Sequence, residues 1–166
     1  MVSVYDVADF FIQSAVVTRQ ELMTNLRVQK MVYYAQAWYV QRTGRPLFQE
    51  TIEAWQYGPV IPLLYKKYVC YGDSPIVSTS TGYSMDIFTP ETLETLLDVM
   101  REYGRYTTSA LVNMTHRESE PWYKLDINGT ITPEMLKRDF DKLPPLKRIG
   151  EDLPTVEAIP AAWGAY

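Results

Sequence analysis

One stretch of the sequence, residues 24–44, limits the possible folds more than any other part of the chain. Thr24 is a favourable N-cap, because its hydroxyl accepts a hydrogen bond from a free backbone N–H of the first turn. Gly44 suits the position after the last turn, where a left-handed backbone is needed, and Arg42 suits the negative end of the helix dipole. About 19 residues at ~1.5 Å each then form a rod of ~28 Å, roughly the width of a small domain.

The composition of this helix predicts that other elements enclose it. Apolar side chains at helical spacing form one stripe along it: Val28, Met31, Val32, Ala35, Trp38 and Tyr39. Within residues 32–40 only Gln36 is clearly polar, and a helix that is apolar nearly all round is surrounded by protein. We therefore expect a central core helix, with Arg27, Gln29 and Lys30 on the face that stays in water.

Several other segments carry helix signals, and one carries a strand signal. We predict helices over residues 4–15, 60–71 and 107–114, and further helices that begin at the Thr-Pro-Glu sequences of residues 89–91 and 132–134. Residues 52–57 alternate in the manner of a short strand. The sequence therefore predicts a mainly α fold, a single compact helical domain around a central buried helix, with a small antiparallel β element.

Local patterns give four further expectations. Gly58 lies between the strand and the next helix, so we expect a backbone conformation there that side chains tolerate poorly. Residues 18–21 match a capping box and predict a short helical turn. Residues 73–86 are rich in Ser, Thr, Gly and Pro, which predicts an irregular excursion with a hairpin near residue 81. Cys70, near the end of its helix, is expected to be a small buried side chain.

The bulk composition excludes several classes of function. The 166 residues suffice for one domain with a hydrophobic core. A net charge of −4 without a basic cluster argues against nucleic acid as a partner. No apolar run approaches the roughly 18 residues of a membrane span, and the N-terminus lacks a secretory signal. We therefore expect a cytoplasmic protein that binds neither nucleic acid nor membrane.

The chain offers little for catalysis. One Cys and one His cannot build a metal cage, and no Gly-rich phosphate-binding loop is present, so no cofactor is expected. Any His-based mechanism depends on His116, with Glu118 or Glu120 as its acid or base partner. The alternative is a loop histidine bonded to backbone or to a carboxylate, with the two glutamates facing water. We expect no enzyme activity.

The composition shifts at residue 144. Residues 144–166 contain four prolines and little apolar periodicity, so we divide the chain into a domain at residues 1–143 and a C-terminal tail at residues 144–166. Trp163 and Tyr166, near the end of the tail, are anchors of the kind that bury a large area for few rotatable bonds. The tail either packs against its own domain or extends across a partner.

Three motifs resemble the Panacea domain family, whose members are also described as SocA-like antitoxins and phage-associated GepA-like proteins. They are TNLRVQKMVYYAQAW at residues 24–38, GRPLF at residues 44–48 and EAWQYGPV at residues 53–60. Smaller features also fit the family pattern: Tyr65, Thr115-His116, Pro121-Trp122 and the helix at residues 131–140. The resemblance covers about residues 4–143 and leaves the tail outside.

This resemblance implies an antitoxin that acts without catalysis or cofactor. Family members are expected beside varied toxins on prophages and mobile elements, and are expected to neutralise a cognate protein toxin by direct binding. One alternative is an adaptor that delivers the toxin to the ClpXP protease. Another, for a phage-borne member, is a protein that counters host defence toxins.

We expect the partner to be contacted at two places. Arg27 and Lys30, on the wet side of the central helix, form the first candidate surface, with a solvated face or an internal ion pair as the alternative. Trp163 and Tyr166 in the tail form the second.

Overall fold

The computed structural model describes residues 1–148, and the protein is mainly helical over that range. The α-helices are α1 (Val4–Thr18), α2 (Asn25–Thr43), α3 (Pro62–Tyr68), α4 (Pro90–Tyr103), α5 (Thr108–Thr115) and α6 (Pro133–Phe140). The strands are β1 (Ile52–Trp55), β2 (Gly58–Val60) and β3 (Thr130–Ile131). Short 3-10 turns lie at Val69–Tyr71, Met85–Ile87 and Pro121–Lys124.

The predicted central helix is α2, and its ends form as the sequence indicates. Thr24 Oγ1 accepts a hydrogen bond from Arg27 N at 3.2 Å, and Gly44 takes a left-handed conformation with φ 71°. The helix packs against α1, α3, α4, α5, α6 and β2, and every residue from 28 to 40 is buried. The prediction of a mainly α domain around a central buried helix is therefore confirmed.

The other helices begin where their capping residues predict. Ser3 forms a capping box with Asp6 at the start of α1. Thr89, Thr107 and Thr132 each accept a backbone N–H of the first turn of α4, α5 and α6. Because an N-cap satisfies donors that a helix leaves free, these short polar side chains fix the helix starts locally, without help from distant residues.

The β element is a three-stranded antiparallel sheet in the order β2-β1-β3, which confirms the predicted type. In the β1–β2 hairpin Trp55 pairs with Gly58, so Gln56 and Tyr57 form the turn. Strand β3 joins on the other side of β1, where Ile52 pairs with Ile131 and brings the start of α6 beside the hairpin.

Gly58 is the joint that the sequence indicates. Its φ is +106°, a backbone conformation that L side chains rarely adopt. A Cβ at this position would lie 2.5 Å from Thr115 Oγ1 and 3.0 Å from Lys30 Cε. Both the backbone conformation and the lack of space therefore require glycine here.

Cys70 is exposed, and the prediction that it is buried is wrong. The predicted helix at residues 60–71 is an α-helix only over Pro62–Tyr68, and it continues as the 3-10 turn Val69–Tyr71. Leu64 and Tyr68 are the residues that α3 buries, and the tighter turn that follows buries none. The change of helix type therefore carries Cys70 away from the core.

Two connecting segments, one before α2 and one between α3 and α4, also differ from expectation. Residues 18–21 form no helical turn, because Thr18 is the last residue of α1 and Arg19 ends that helix in the left-handed region with φ 56°. Residues 73–86 are irregular as predicted, but residue 81 lies in a turn with no strand on either side within the excursion. Buried Ile76 holds this excursion, since its N–H donates to Met23 O at 2.7 Å.

The first residues of the tail lie along α2 and α4. Arg42 donates to Leu146 O at 3.2 Å and pairs with the buried carboxylate of Asp98 at 2.7 Å. The rest of the tail, including Trp163 and Tyr166, lies outside the described residues. The division of the chain at residue 143 stays a prediction.

Candidate functional site

Arg27, near the start of α2, is a buried charge that ties a distant loop to the helix. Its side chain is fully buried, and its guanidinium donates to Gly104 O at 3.0 Å and to Tyr106 O at 2.8 Å. Burial lowers the pKa of Arg27, and the carboxylate of Glu21, 3.3 Å away, opposes that shift. Arg27 therefore satisfies backbone oxygens in the loop between α4 and α5.

Lys30 likewise donates a hydrogen bond to a backbone oxygen, in this case one of the β1–β2 hairpin. Its Nζ donates to Pro59 O at 2.9 Å, and its Cε is one of the atoms that a Cβ on Gly58 would meet. Because the residue is fully buried, its pKa falls to about 7. The ammonium group therefore holds β2 against α2 at the cost of its own hydration.

Two amide side chains of α2 bind further backbone segments. Gln29 Oε1 accepts a hydrogen bond from Ile61 N at 2.9 Å. Gln36 Oε1 accepts from Leu47 N at 2.7 Å, and its Nε2 donates to Phe48 O at 3.0 Å. The segments on both sides of the β1–β2 hairpin are therefore fixed by polar atoms of a buried helix.

Glu120 is a buried carboxylate that contacts α2. Tyr33 donates to its Oε2 at 2.6 Å and Tyr34 to its Oε1 at 3.2 Å. Burial raises the pKa of Glu120 to about 7, although both hydrogen bonds act in the opposite direction. Tyr34 also stacks on Tyr103 with ring centroids 3.9 Å apart. The prediction that Glu120 faces water is wrong, because two tyrosines of α2 hold it inside.

The segment after α5 also fixes the tip of the β1–β2 hairpin. His116 Nε2 lies 3.0 Å from Gln56 O, and its Nδ1 lies 2.6 Å from Val112 O. Trp122 Nε1 donates to Trp55 O at 2.6 Å. His116 is therefore a loop histidine that contacts backbone, the alternative to a catalytic role.

An apolar groove, which we call the hairpin groove, opens between the first turn of α2, the hairpin and α3. Its walls include Leu26, Trp55, Tyr57, Val60, Tyr65 and Val69, and it encloses about 450 Å³. Tyr57 is 61% exposed and Val69 51% exposed. Clustered aromatic and aliphatic side chains that remain open to solvent are typical of surfaces that bind other proteins.

The residues predicted to bind a partner do not form this groove. Arg27 and Lys30 are buried, so the prediction that they lie on a wet face is wrong, because loop and strand oxygens take up their N–H donors. A partner-binding role for these two residues stays a prediction, and the structure gives it no exposed surface. Trp163 and Tyr166 lie outside the described residues.

Sequence reasoning missed the hairpin groove, although two periodicities pointed to it. Strand residues alternate between faces, so buried Ala54 places Trp55 on the opposite face from the core. On α3, the buried pair Leu64 and Tyr68 leaves Tyr65 on another side of the helix. Both signals required strand and helix bounds more exact than the sequence provides.

The structure does not bring His116 together with Glu118 or Glu120 as a catalytic group. The ring nitrogens of His116 contact backbone oxygens, Glu120 is bonded to two tyrosines, and Glu118 is exposed. Within residues 1–148, no three His, Cys, Asp or Glu side chains are grouped to hold a metal ion. No helix of the same range has both the length and the apolar character of a membrane span.

Comparison with known proteins shows the family. Residues 28–123, more than half of the chain, match the family model for the antitoxin SocA-like Panacea domain. A curated relative, antitoxin SocA from Caulobacter vibrioides (strain NA1000 / CB15N), is 29% identical over 109 residues, which cover 60% of this chain and 58% of the relative. The chain thus spans less than two thirds of that relative's length. No solved structure matches.

The chain belongs to the SocA-like antitoxin family that the Panacea domain defines. The matched range begins at Val28, within α2, and ends at Tyr123, just after the segment that carries Glu120. It therefore includes the hairpin, α3 and most of the residues that hold them in place.

Proposed function

We propose that this protein is the antitoxin of a toxin–antitoxin pair, and that it neutralises a cognate protein toxin in the cytoplasm by binding it directly. The observation that carries the proposal is the family match over residues 28–123. The relative named antitoxin SocA supports the same role. Direct binding is the simplest mechanism for a domain of this kind, because it requires a stable surface and no chemical step.

The structure supports a binding role through the contrast between its interior and its surface. Long-range hydrogen bonds from α2 fix the loops around the hairpin, so the adjoining surface is organised before any partner arrives. A surface that is already ordered loses less conformational entropy on association than a flexible one. The hairpin groove then offers apolar area that water solvates poorly.

The proposal is tested with the product of the open reading frame beside the gene for this chain, because antitoxin genes normally sit beside their toxins. Expression of that product alone should stop bacterial growth, and co-expression of the full chain should restore it. The two proteins should also co-purify. With purified components, inhibition should disappear at about one chain per toxin, since a binding antitoxin is consumed as it acts.

Matched controls separate this mechanism from its alternatives. The Gly58→Val variant, whose fold should be less stable, should neutralise less well than the natural chain under any of these mechanisms. Relief of inhibition far below one chain per toxin would indicate an enzyme. Toxin loss that requires ClpXP, with no relief in a host that lacks this protease, would indicate an adaptor. An adjacent gene product that the chain neither binds nor neutralises would contradict the proposal.

A further inference from the structure

The hairpin groove combines exposed apolar side chains with unusually firm support. Trp55 and Tyr65 meet edge to face with ring centroids 5.0 Å apart, and the Trp55 indole donates to Glu53 at 2.8 Å. Asn25 Nδ2 donates to Tyr65 O at 3.3 Å and so connects α2 to α3 across the groove. The groove walls are therefore held by one another and do not need a partner to take shape.

The turn that carries Tyr57 is supported from behind. His116 and Trp122 contact the backbone oxygens of Gln56 and Trp55, as described above, and the side chain of Tyr57 remains mostly in solvent. Tyrosine on a rigid turn buries a large area on binding and gives up few rotatable bonds. Tyr57 therefore has the properties of an anchor residue for a protein partner.

The charge of the groove indicates what that partner presents. Asp73 is the charged side chain among the groove walls, and Glu53 lies beside Trp55. Neither Glu53 nor Lys66, which follows Tyr65 in sequence, is among the residues that line the groove. An apolar floor with the carboxylate of Asp73 at its edge complements an apolar side chain flanked by a cation. A second copy of this chain complements it poorly, since a two-fold contact would place the same acidic edge against itself.

We propose that the hairpin groove receives an apolar side chain of the toxin that is flanked by lysine or arginine. Tyr57 and Val69 form the contact surface, and Asp73 pairs with the flanking cation. This inference rests on the proposed function, since it assigns the surface through which the antitoxin binds its toxin.

The test measures binding of the adjacent gene product to the full chain and to three variants. Tyr57→Ser combined with Val69→Ser should weaken binding about tenfold or more, because it removes two exposed apolar contacts. Asp73→Lys should weaken it about threefold to tenfold, with a smaller loss at high salt, because it places like charges together. The control Ile87→Ser, at a 47% exposed residue of a separate groove, should bind within about twofold of the natural chain.

Each outcome has a separate meaning. If the natural chain does not bind the adjacent gene product, the proposed function fails and this inference fails with it. If the natural chain binds and the Tyr57→Ser/Val69→Ser variant binds equally, the groove assignment is wrong and the antitoxin function stands. If that variant instead disrupts a dimer of this chain and leaves toxin binding intact, the groove is a self-association surface and the assignment is also wrong.

A second measurement does not depend on the stability of any groove variant. A photo-crosslinking amino acid at Gln56, whose side chain is exposed on the turn, should capture the toxin. The same group at Ile87 should not. Capture from residue 87 alone would overturn the proposal.

Discussion

Leu26 and Arg27 are neighbours in α2, and their environments are the reverse of what their chemistry suggests. Leu26 is 38% exposed beside the hairpin groove, whereas Arg27 is 0% exposed. Lys30, one turn further on, is buried like Arg27, and Tyr57 projects into solvent like Leu26. Two regions that lie side by side thus place charge inside and apolar surface outside.

The difference follows from what each region must satisfy. Loops and short strands leave backbone oxygens without regular partners, and a buried oxygen without a donor costs free energy. Arg27 and Lys30 supply those donors from a helix that is itself rigid. The groove has no such requirement, and its apolar side chains remain available to a partner. Stability is therefore expected to depend on the buried polar residues, and binding on the exposed apolar ones.

The largest expected effect is at Gly58. Replacement by valine combines a strained φ of +106° with a clash at Thr115 Oγ1, so Gly58→Val should lower the free energy of unfolding by about 3 kcal/mol or more. Gly44→Ala is a matched control, because φ there is +71° but the space around a Cβ is open, and it should cost only about 1 kcal/mol. Denaturant melts of both variants measure the difference, and equal losses would show that space at Gly58 does not matter.

The next large loss in the free energy of unfolding is expected on substitution of Arg27. Arg27→Met keeps most of the buried volume but removes the donors to Gly104 O and Tyr106 O, so we expect a loss of about 2–3 kcal/mol in unfolding free energy. Leu26→Ser, one residue away, should change it by no more than about 0.5 kcal/mol. Thermal and denaturant unfolding test the pair. Similar effects at the two positions would remove the distinction between the two regions.

The pH dependence of stability should reveal Glu120. Its pKa rises from 4.5 to about 7 on folding, so the folded state binds a proton more tightly than the unfolded state. The resulting stability is fully present below pH 4.5 and is lost as the pH rises through about 7, and the full shift corresponds to about 3 kcal/mol. In Glu120→Gln this dependence should be absent, so the difference between the two melting curves isolates it.

The range from pH 4.5 to 7 limits the contribution of Lys30, the other buried group with a folded pKa of about 7. Lys30, with a folded pKa near 7 and an ordinary value of 10.5, changes the stability mainly above this window, where a rise in pH stabilises the fold. A natural chain whose stability is flat from pH 4.5 to 7 would show that Glu120 titrates normally.

The smallest expected effect on stability is in the groove. The Tyr57→Ser variant should unfold within about 0.5 kcal/mol of the natural chain, because most of the side chain is already in water. Tyr33→Phe, which removes only the hydroxyl that binds Glu120, should cost about 1–2 kcal/mol despite the smaller change. Parallel melts of these variants compare the exposed and the buried tyrosine. A larger loss at Tyr57 would mean that the groove helps to hold the fold.

The sequence predicts what local chemistry decides. Helix starts at Thr89 and Thr132 and the end of α2 at Gly44 are correct, because each depends on a residue within one turn. Arg27 and Glu120 are misplaced, because their partners lie 77 and 87 residues away along the chain. Neither composition nor periodicity carries information about such distant contacts.

The candidate site was harder to predict for a related reason. The EAWQYGPV sequence, residues 53–60, indicated the family and the glycine joint, but its exposed tyrosine gains meaning only once α3 lies beside it. Residues predicted to bind because they are charged proved to be interior. A polar residue on a helix that is otherwise apolar all round can therefore be a buried hydrogen-bond donor as readily as part of a solvent-exposed face.

The distance between Tyr33 and Glu120 also has a consequence for synthesis of the protein. A ribosome adds about 5–20 residues per second, so the 87 positions between them take roughly 4–17 s to translate. During that interval Tyr33 and Tyr34 lack the carboxylate of Glu120, whereas the partner of Lys30, Pro59 O, is added only 29 residues after it. The hydrogen bond between Tyr33 and Glu120 therefore forms only after translation has passed residue 120.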